Sequence, residues 1–156
     1  MKINLKSLLF NTLVPLMISF IIAMIIPNYQ DYYESLNVPL RLPPIAFIIA
    51  WSIIYILIGI SAYLIENNKN TNEQEINKVL RLYYIHLLIN FSYTIVAFWV
   101  KNITIASVIT ILLLVTAIYL AIKFYKINKI SGLLFIPYII WLILANYIQI
   151  GIYYLN

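Results

Sequence analysis

Five stretches of this chain are long, apolar and almost free of formal charge, and together they account for most of its 156 residues. Each holds about 20 residues, the length that a helix needs to cross roughly 30 Å of hydrocarbon. Their positions are 7–26, 44–65, 79–100, 103–124 and 132–154. Apolar residues occupy odd and even positions alike in every stretch, whereas the strands of a membrane barrel alternate apolar with polar residues. A membrane barrel is therefore excluded. The sequence therefore predicts an all-α fold, in which residues 1–156 form one integral membrane domain, a five-transmembrane-helix bundle.

The basic residues are distributed unevenly between the two ends of this bundle, and the asymmetry predicts its orientation. With five crossings, eight of the ten Lys and Arg side chains fall on the side of the N-terminus, whereas Arg41 and Lys101 fall on the other. The positive-inside rule then places the N-terminus in the cytoplasm and Asn156 outside the cell membrane. Topology and contact with anionic membrane lipid account for the net charge of +5, so a nucleic-acid partner is not needed. Since no small-residue cleavage site follows the first stretch, we expect a retained helix rather than a signal peptide.

The connections between the stretches differ in length and character. Residues 66–78 form a polar, asparagine-rich segment that is typical of a solvated turn. The segment 27–43 on the other side carries Tyr29, Tyr32 and Tyr33 together with several apolar residues. Two interpretations are open: these aromatic side chains anchor the segment at the membrane interface, or the segment is a lid over a site within the bundle.

Polar and aromatic residues recur within the predicted helices at intervals of three and four, so they share helix faces. The four rows are Asn11, Pro15, Ser19 and Ala23; Phe47, Trp51 and Tyr55; His86, Asn90, Tyr93 and Ala97; and Tyr138, Trp141, Ala145 and Gln149. Given the predicted topology, Ala23, Trp51, Tyr93, Trp141 and Ala145 all lie between the midplane and the outer surface. They either line one cavity beneath segment 27–43 or serve as ordinary packing, since small residues also let membrane helices approach closely.

Several short motifs, in order along the chain, resemble those of one known family. The first loop and second helix of that family resemble the segment Tyr32 to Pro39, the pair Pro43-Pro44, and the following Phe47, Trp51, Tyr55, Gly59 and Ser61-Ala62. Its third and fifth helices resemble the segments Asn90 to Tyr93 and Pro137 to Trp141, the latter followed by Ala145. This is the translocator protein family, also called tryptophan-rich sensory proteins or peripheral benzodiazepine receptors. The resemblance runs from end to end, and the Ile-, Asn-, Lys- and Tyr-rich composition favours a bacterial member.

The chain departs from the family pattern at a few positions. Tyr32 and Tyr93 stand where the family usually has tryptophan, and Arg41 stands near another usual tryptophan. Gln149 replaces a usual asparagine. The resemblance therefore predicts a tryptophan-poor member, whose ligand preference need not follow that of other members.

The resemblance implies five tightly packed helices around a cavity close to segment 27–43. It implies non-covalent ligands: protoporphyrin IX, haem, and lipophilic drugs of the isoquinoline carboxamide and benzodiazepine classes. The residues expected to bind such a ligand are Trp51, Trp141, Asn90, Tyr93, Ala145, Phe47, Tyr55, Ala23, Tyr32, Pro43 and Pro44. Flat aromatic faces suit a large planar ligand, and the amide and hydroxyl groups add directional hydrogen bonds. The sequence leaves open whether the protein forms a homodimer.

Three further residue patterns allow more than one role. Arg41 either pairs with a ligand propionate or is a solvated interfacial cation. His86 lies below the expected cavity, which favours a hydrogen-bonded packing histidine over a haem-iron ligand. Val115, Tyr119 and Lys123 match a loose cholesterol pattern, but such patterns are weak, and no basic residue follows Tyr153 and Tyr154, so sterol binding is doubtful.

Three functional classes follow from these observations. The favoured one is a membrane receptor or sensor that binds a tetrapyrrole or a similar lipophile. A transporter is disfavoured because pumps and coupled carriers generally place a carboxylate within a membrane helix. The five acidic residues of this chain all lie outside the apolar stretches. An enzyme is disfavoured because those stretches hold one histidine and no acid, and the chain has no cysteine. We therefore predict no catalytic or metal site, and the remaining enzymatic possibility is porphyrin degradation by light and oxygen, in which the ligand supplies the chemistry.

Overall fold

A computed structural model describes residues 4–156, and within that range every regular element is a helix. The elements in chain order are α1 (Leu5–Ile25), α2 (Tyr29–Ser35), α3 (Pro44–Glu66), α4 (Glu73–Thr94), a π-helical turn (Ile95–Trp99), α5 (Ile103–Ile127), α6 (Lys129–Leu133) and α7 (Ile136–Leu155). The predicted all-α class is confirmed.

Five helical segments are long and apolar enough to cross a bilayer. They are Leu5–Ile25, Pro44–Glu66, Glu73–Trp99, Ile103–Ile127 and Lys129–Leu155. Long apolar side chains cover the outer faces of the bundle, as expected where lipid rather than water is the solvent. We call the end that carries residues 27–43 the lid end, and the end that carries residues 67–72 the linker end.

Asparagine side chains fix where four of these segments begin. Asn4, Asn72, Asn102 and Asn128 each precede a helix and accept a hydrogen bond from a backbone N–H of its first turn. Such caps satisfy donors that have no partner within the helix. Helix α3 begins instead with Pro44, whose fixed φ and missing N–H suit the first helical position.

Two helical segments begin at least three residues earlier than the sequence-based expectation. Helix α4 begins at Glu73 rather than at Val79, because the Asn72 cap and the acidic first turn stabilise a polar start that hydropathy does not detect. The predicted linker 66–78 is therefore shorter, and residues 67–72 remain outside the helices. The fifth segment begins at Lys129 rather than at residue 132, so it is longer than expected. A short break separates α6 from α7 within it.

The helices pack through close backbone contacts and buried polar pairs. Helix α1 lies against α3 at Gly59, where an added Cβ would come within 2.7 Å of the Thr12 Cα atom. At the linker end, the Glu66 carboxylate accepts hydrogen bonds from the Ser7 hydroxyl at 2.6 Å and the Asn11 amide at 2.8 Å. Helix α5 packs against α4 and α7. At the lid end, side chains of α1, α3, α4 and α7 surround a cavity.

Candidate functional site

A cavity of about 480 Å³ lies inside the lid end of the bundle, between α1, α3, α4 and α7 and beneath α2. Its size lies in the range of pockets that hold drug-sized molecules. Ten of the eleven residues expected to bind a ligand belong to its lining: Ala23, Pro43, Pro44, Phe47, Trp51, Tyr55, Asn90, Tyr93, Trp141 and Ala145. Members of all four rows of residues at helical spacing thus meet around one cavity, whereas Asn11, Pro15, His86, Ala97, Tyr138 and Gln149 lie outside its lining.

Aromatic rings form most of one wall. Trp51 stacks on Tyr55 with ring centroids 5.5 Å apart, and it meets Trp141 nearly edge-on at 6.4 Å. Phe47 contacts Trp141 edge-on at 5.8 Å. Phe47, Trp51 and Tyr55 are four residues apart on α3, so one helix presents three rings in a column. The column offers a flat, apolar surface with room in front of it.

Hydrogen-bonded polar groups form the floor of the cavity, on the side away from the lid. The Tyr55 hydroxyl donates to Asn90 Oδ1 at 2.6 Å, and Asn90 Nδ2 donates to the Tyr138 oxygen at 2.9 Å. Behind the floor, His86 Nε2 lies 2.8 Å from the Tyr138 hydroxyl, and His86 Nδ1 lies 2.7 Å from the Thr116 hydroxyl. His86 is buried and hydrogen-bonded, as the sequence predicts, and it is behind the lining rather than in it.

Helix α2 and the segment that follows it close the lid end. Tyr29 and Tyr33 lie four residues apart on α2 and face the cavity. Burial raises the pKa of Tyr29 to about 12, with a smaller contribution from the nearby Tyr33, so Tyr29 is a neutral hydroxyl at physiological pH. The ring of Tyr29 packs on Phe98 of the π-helical turn at 4.4 Å. The lid is therefore a folded element with its own aromatic contacts.

Arg41 fastens the lid. Its guanidinium donates to the carbonyl oxygen of Leu36 at 2.7 Å and to those of Tyr33 and Glu34 at 3.3 and 3.4 Å. It also lies over the Tyr33 ring, 5.3 Å from the centroid. These carbonyl groups lie at the C-terminal end of helix α2, where a cation is favourable. Arg41 lines the cavity and remains exposed, and its guanidinium is hydrogen-bonded to the backbone of the lid.

Two asparagines join the lid to the end of α7. The Asn37 backbone N–H donates to Asn156 Oδ1 at 2.9 Å, and Asn156 Nδ2 donates to the Asn37 carbonyl oxygen at 2.8 Å. Beside them, Pro39 rests directly on Gly151. The lid is thus held both by its own arginine and by α7.

Tyr32 is the expected ligand-binding residue that the structure places outside the lining. Its ring meets Phe98 edge-on at 6.4 Å and lies 4.8 Å from the Lys101 ammonium group. One residue along a helix turns the side chain by about 100°, so Tyr32 and Tyr33 cannot both face the cavity. The family pattern indicated Tyr32, whereas the position that points inward in this chain is occupied by Tyr33.

Other lining residues were not predicted from the sequence. Ile148 and Ile152 continue the row of Trp141 and Ala145 on α7, so the helical spacing contained the signal for them. Tyr29, Tyr33 and Phe98 had no such signal, because they depend on how α2 and the π-helical turn meet in space.

Two hydrogen-bond donors at the cavity have no partner among residues 4–156. They are the indole N–H of Trp141 and the hydroxyl of Tyr33, both of them buried atoms in lining residues. A buried donor without a partner costs about 1–3 kcal/mol. Neither atom is exposed to the cavity, so a ligand acceptor would meet them only if the Trp141 or Tyr33 side chain rotated toward it.

A second depression, of about 700 Å³, lies at the linker end. Charged side chains, including Glu66, Glu73 and Arg81, share its lining with apolar ones. The charged groups are well solvated beside a membrane surface, so the aromatic cavity is the stronger candidate for binding a lipophilic molecule.

Comparison with known proteins gives a consistent result. A model of the TspO/MBR family matches residues 11–155. The tryptophan-rich protein TspO of Archaeoglobus fulgidus is 30% identical over 130 residues, which are 83% of this chain and 82% of that protein. Protein CrtK of Rhodobacter capsulatus is 29% identical over 126 residues, 80% of this chain and 78% of its own length. A tryptophan-rich sensory protein of Cereibacter sphaeroides is 26% identical over 113 residues, 72% of this chain and 68% of that protein. The family match includes every wall of the aromatic cavity, and this chain is a multi-pass membrane protein that belongs to the TspO/MBR family.

Proposed function

We propose that this protein is a membrane receptor or sensor that binds a tetrapyrrole, such as protoporphyrin IX or haem, or a similar planar lipophile in the aromatic cavity. Membership of the TspO/MBR family supports a receptor- or sensor-like role. The observation that carries the proposal is the cavity of about 480 Å³ with the Phe47, Trp51 and Tyr55 column on one side and the unpartnered Trp141 N–H beside it.

The lining supports a large, flat and mostly apolar ligand. Aromatic rings bind other π-systems by offset stacking and edge contacts, each worth about 0.5–1.5 kcal/mol beyond the buried area. Trp51 and Trp141 are only partly buried by protein, so part of each ring surface is left for a ligand. The ligand is held without a covalent bond and with membrane lipid around the bundle.

Orientation in the cell membrane is part of the same proposal. The excess of Lys and Arg toward the linker end favours a cytoplasmic N-terminus, with the lid and Asn156 on the outer side. The cavity would then receive its ligand from the outer leaflet or the external solution.

Binding is tested by titrating the purified protein in detergent with protoporphyrin IX and with haem, following the absorbance of the ligand. Trp51→Ala and Trp141→Ala are each expected to weaken binding by about 2- to 10-fold through lost ring contacts, with a further loss from the buried area. Trp99→Ala is the matched control, because Trp99 is 52% exposed on the outside of the bundle and is not in the lining. Equal affinities in all three variants would refute the cavity as the binding site.

Light- and oxygen-dependent degradation of a bound porphyrin is the second candidate function. It is favoured by the close pair of oxidisable rings, Trp51 and Trp141, at 6.4 Å in the cavity wall. The porphyrin would supply the photochemistry, and the protein would hold and orient it. Passive movement of a porphyrin through the bundle is a weaker alternative, since both ends of α2 are fastened to the rest of the lid end.

A further inference from the structure

Two tyrosines of the cavity direct their hydroxyl protons into the wall. Tyr55 donates to Asn90 Oδ1 at 2.6 Å, and Tyr93 donates to Gln149 Oε1 at 2.9 Å. A hydroxyl has one proton and two lone pairs. Since the proton of each tyrosine is used in the wall, each oxygen keeps only acceptor capacity for a ligand.

The direction of the Tyr55 hydrogen bond is set by residues that lie behind the cavity lining. The Thr116 hydroxyl donates to the backbone carbonyl of Leu112 at 2.7 Å, so toward His86 it can only accept. His86 therefore carries its proton on Nδ1, and its bare Nε2 accepts from the Tyr138 hydroxyl at 2.8 Å. In the opposite tautomer either the Tyr138 proton has no acceptor or, if the Asn90 amide rotates to accept it, the Tyr55 proton loses its acceptor in the wall.

The remaining links follow from the histidine tautomer. The Tyr138 oxygen, having donated to His86, accepts from Asn90 Nδ2 at 2.9 Å. The amide of Asn90 is thereby oriented with Oδ1 toward Tyr55. We call this chain of Thr116, His86, Tyr138, Asn90 and Tyr55 the His86 relay.

A second chain orients the other tyrosine. The Ser107 hydroxyl donates to the Ile103 carbonyl at 2.8 Å, and Gln149 Nε2 donates to the Ser107 oxygen at 3.3 Å. Gln149 must then turn Oε1 toward Tyr93, from which it accepts. Both chains end at backbone carbonyls of α5, which cannot reverse their polarity.

We propose that these two relays make the floor and the α4 side of the cavity a hydrogen-bond acceptor surface, which selects planar lipophiles that carry an N–H donor. His86 is the positioning residue of the first relay. This inference rests on the proposed function, because it assigns the ligand chemistry of the same cavity. An ether oxygen that faces the Tyr55 and Tyr93 oxygens meets two acceptors, whereas an N–H group placed there gains a hydrogen bond.

Substitution of His86 should change the hydrogen-bonding character of the cavity floor, which a purely structural histidine would not do. In His86→Phe, the Tyr138 hydroxyl loses its acceptor and turns to Asn90, whose amide rotates so that Nδ2 faces Tyr55. The Tyr55 proton is then free to point into the cavity, and the floor becomes a donor. His86→Gln supplies an amide NH₂ donor for Thr116 and a carbonyl acceptor for Tyr138, so we expect it to preserve the original direction.

The experiment compares carbazole with dibenzofuran, two tricyclic probes of nearly equal shape that differ by an N–H group and an ether oxygen. Calorimetric titration of the full chain in detergent gives both affinities, and protoporphyrin IX is titrated in parallel. The unmodified protein is expected to bind carbazole about 5- to 10-fold more tightly than dibenzofuran, the effect of one neutral hydrogen bond. His86→Phe is expected to lose or invert this ratio, and His86→Gln to keep it.

A variant away from the buried histidine allows the test even if the His86 variants fail to fold. Thr116 is only partly buried, and Thr116→Val removes the acceptor that fixes the histidine tautomer while preserving side-chain shape. The carbazole preference is expected to fall in Thr116→Val. It is expected to persist in Thr110→Val, the same change on the same helix, because the Thr110 hydroxyl donates to the Ser107 carbonyl and belongs to neither relay.

The outcomes separate this inference from the proposed function. If protoporphyrin IX binds but the unmodified protein does not distinguish the two tricyclic probes, the inference is overturned and the proposed function stands. A carbazole preference that survives both His86→Phe and Thr116→Val overturns the role of the relay. Failure of all three probes to bind overturns both.

Discussion

The contact between Gly151 and Pro39 offers a direct test of whether the lid controls access to the cavity. Gly151 lies on α7, and a Cβ added there would overlap the Pro39 ring, coming within 2.7 Å of Cδ and 2.9 Å of Cβ. Carbon atoms pack best about 3.5–4.0 Å apart, so in Gly151→Ala the ring must retreat by about 1 Å. Pro39 cannot retreat alone, because the neighbouring Asn37 is joined to Asn156 by two hydrogen bonds.

Inserting a methyl group into a packed contact costs about 1–3 kcal/mol. If lifting the lid relieves this strain, the lid conformation that encloses the ligand is disfavoured by the same amount. The affinity of Gly151→Ala for protoporphyrin IX is then expected to fall by about 5- to 150-fold. The measurement is an equilibrium titration in detergent, combined with thermal unfolding of the same sample.

Gly132→Ala is the matched control for this experiment. Its added Cβ would come within 2.6 Å of the Tyr125 Cα atom, and Gly132 lies in α6 at the linker end, away from the cavity. We expect Gly132→Ala to unfold at a lower temperature while retaining porphyrin affinity. If Gly151→Ala is destabilised but binds as tightly as the unmodified protein, the position of the lid does not govern binding and the reasoning fails.

Three further predictions concern orientation, stability and chemistry. A reporter fused after Asn156 should be active outside the cytoplasm and one inserted near Asn70 inside, because the basic residues are concentrated toward the linker end; a cytoplasmic signal from the first fusion would contradict the topology. Ser131→Ala should lower stability by about 1–3 kcal/mol in thermal unfolding, because Ser61 and Ser131 are fully buried and each hydroxyl donates to the other's carbonyl at 2.7 Å; an unchanged transition would argue against this pair. Bound porphyrin, followed by its absorbance, should stay unchanged in the dark and be consumed only with light and oxygen, more slowly in Trp51→Phe. Steady turnover in darkness would contradict this prediction.

The number and placement of the membrane spans could be predicted from the sequence because the bilayer imposes one simple requirement. A helix in hydrocarbon must be apolar for about 20 residues whatever its neighbours are. The cavity walls followed from a second requirement, that residues three or four apart share a face. For this reason the Phe47, Trp51 and Tyr55 column and the pair of Trp141 and Ala145 are found together in the lining.

The lid could not be predicted in the same way. Segment 27–43 lacks a periodic apolar pattern, and the short helix α2 within it is held by tertiary contacts: Arg41 with the carbonyl groups at its end, and Tyr29 with Phe98. Seven residues do not form a stable helix alone. The choice of Tyr33 over Tyr32 as the inward residue depends on the rotation of that helix, which only the packed structure determines.

The two departures from the family pattern within the third and fifth spans are physically connected. Tyr93 stands where tryptophan is usual, and Gln149 stands where asparagine is usual; here the Tyr93 hydroxyl donates to Gln149 Oε1 at 2.9 Å. A tyrosine in place of tryptophan brings a hydroxyl into a buried site, and a buried hydroxyl without a partner costs about 1–3 kcal/mol. The glutamine, one methylene longer than asparagine, supplies the acceptor while its amide nitrogen still reaches Ser107 on α5. Truncation of either side chain would leave the other polar group without this partner, and the pair holds a tyrosine oxygen at the cavity wall.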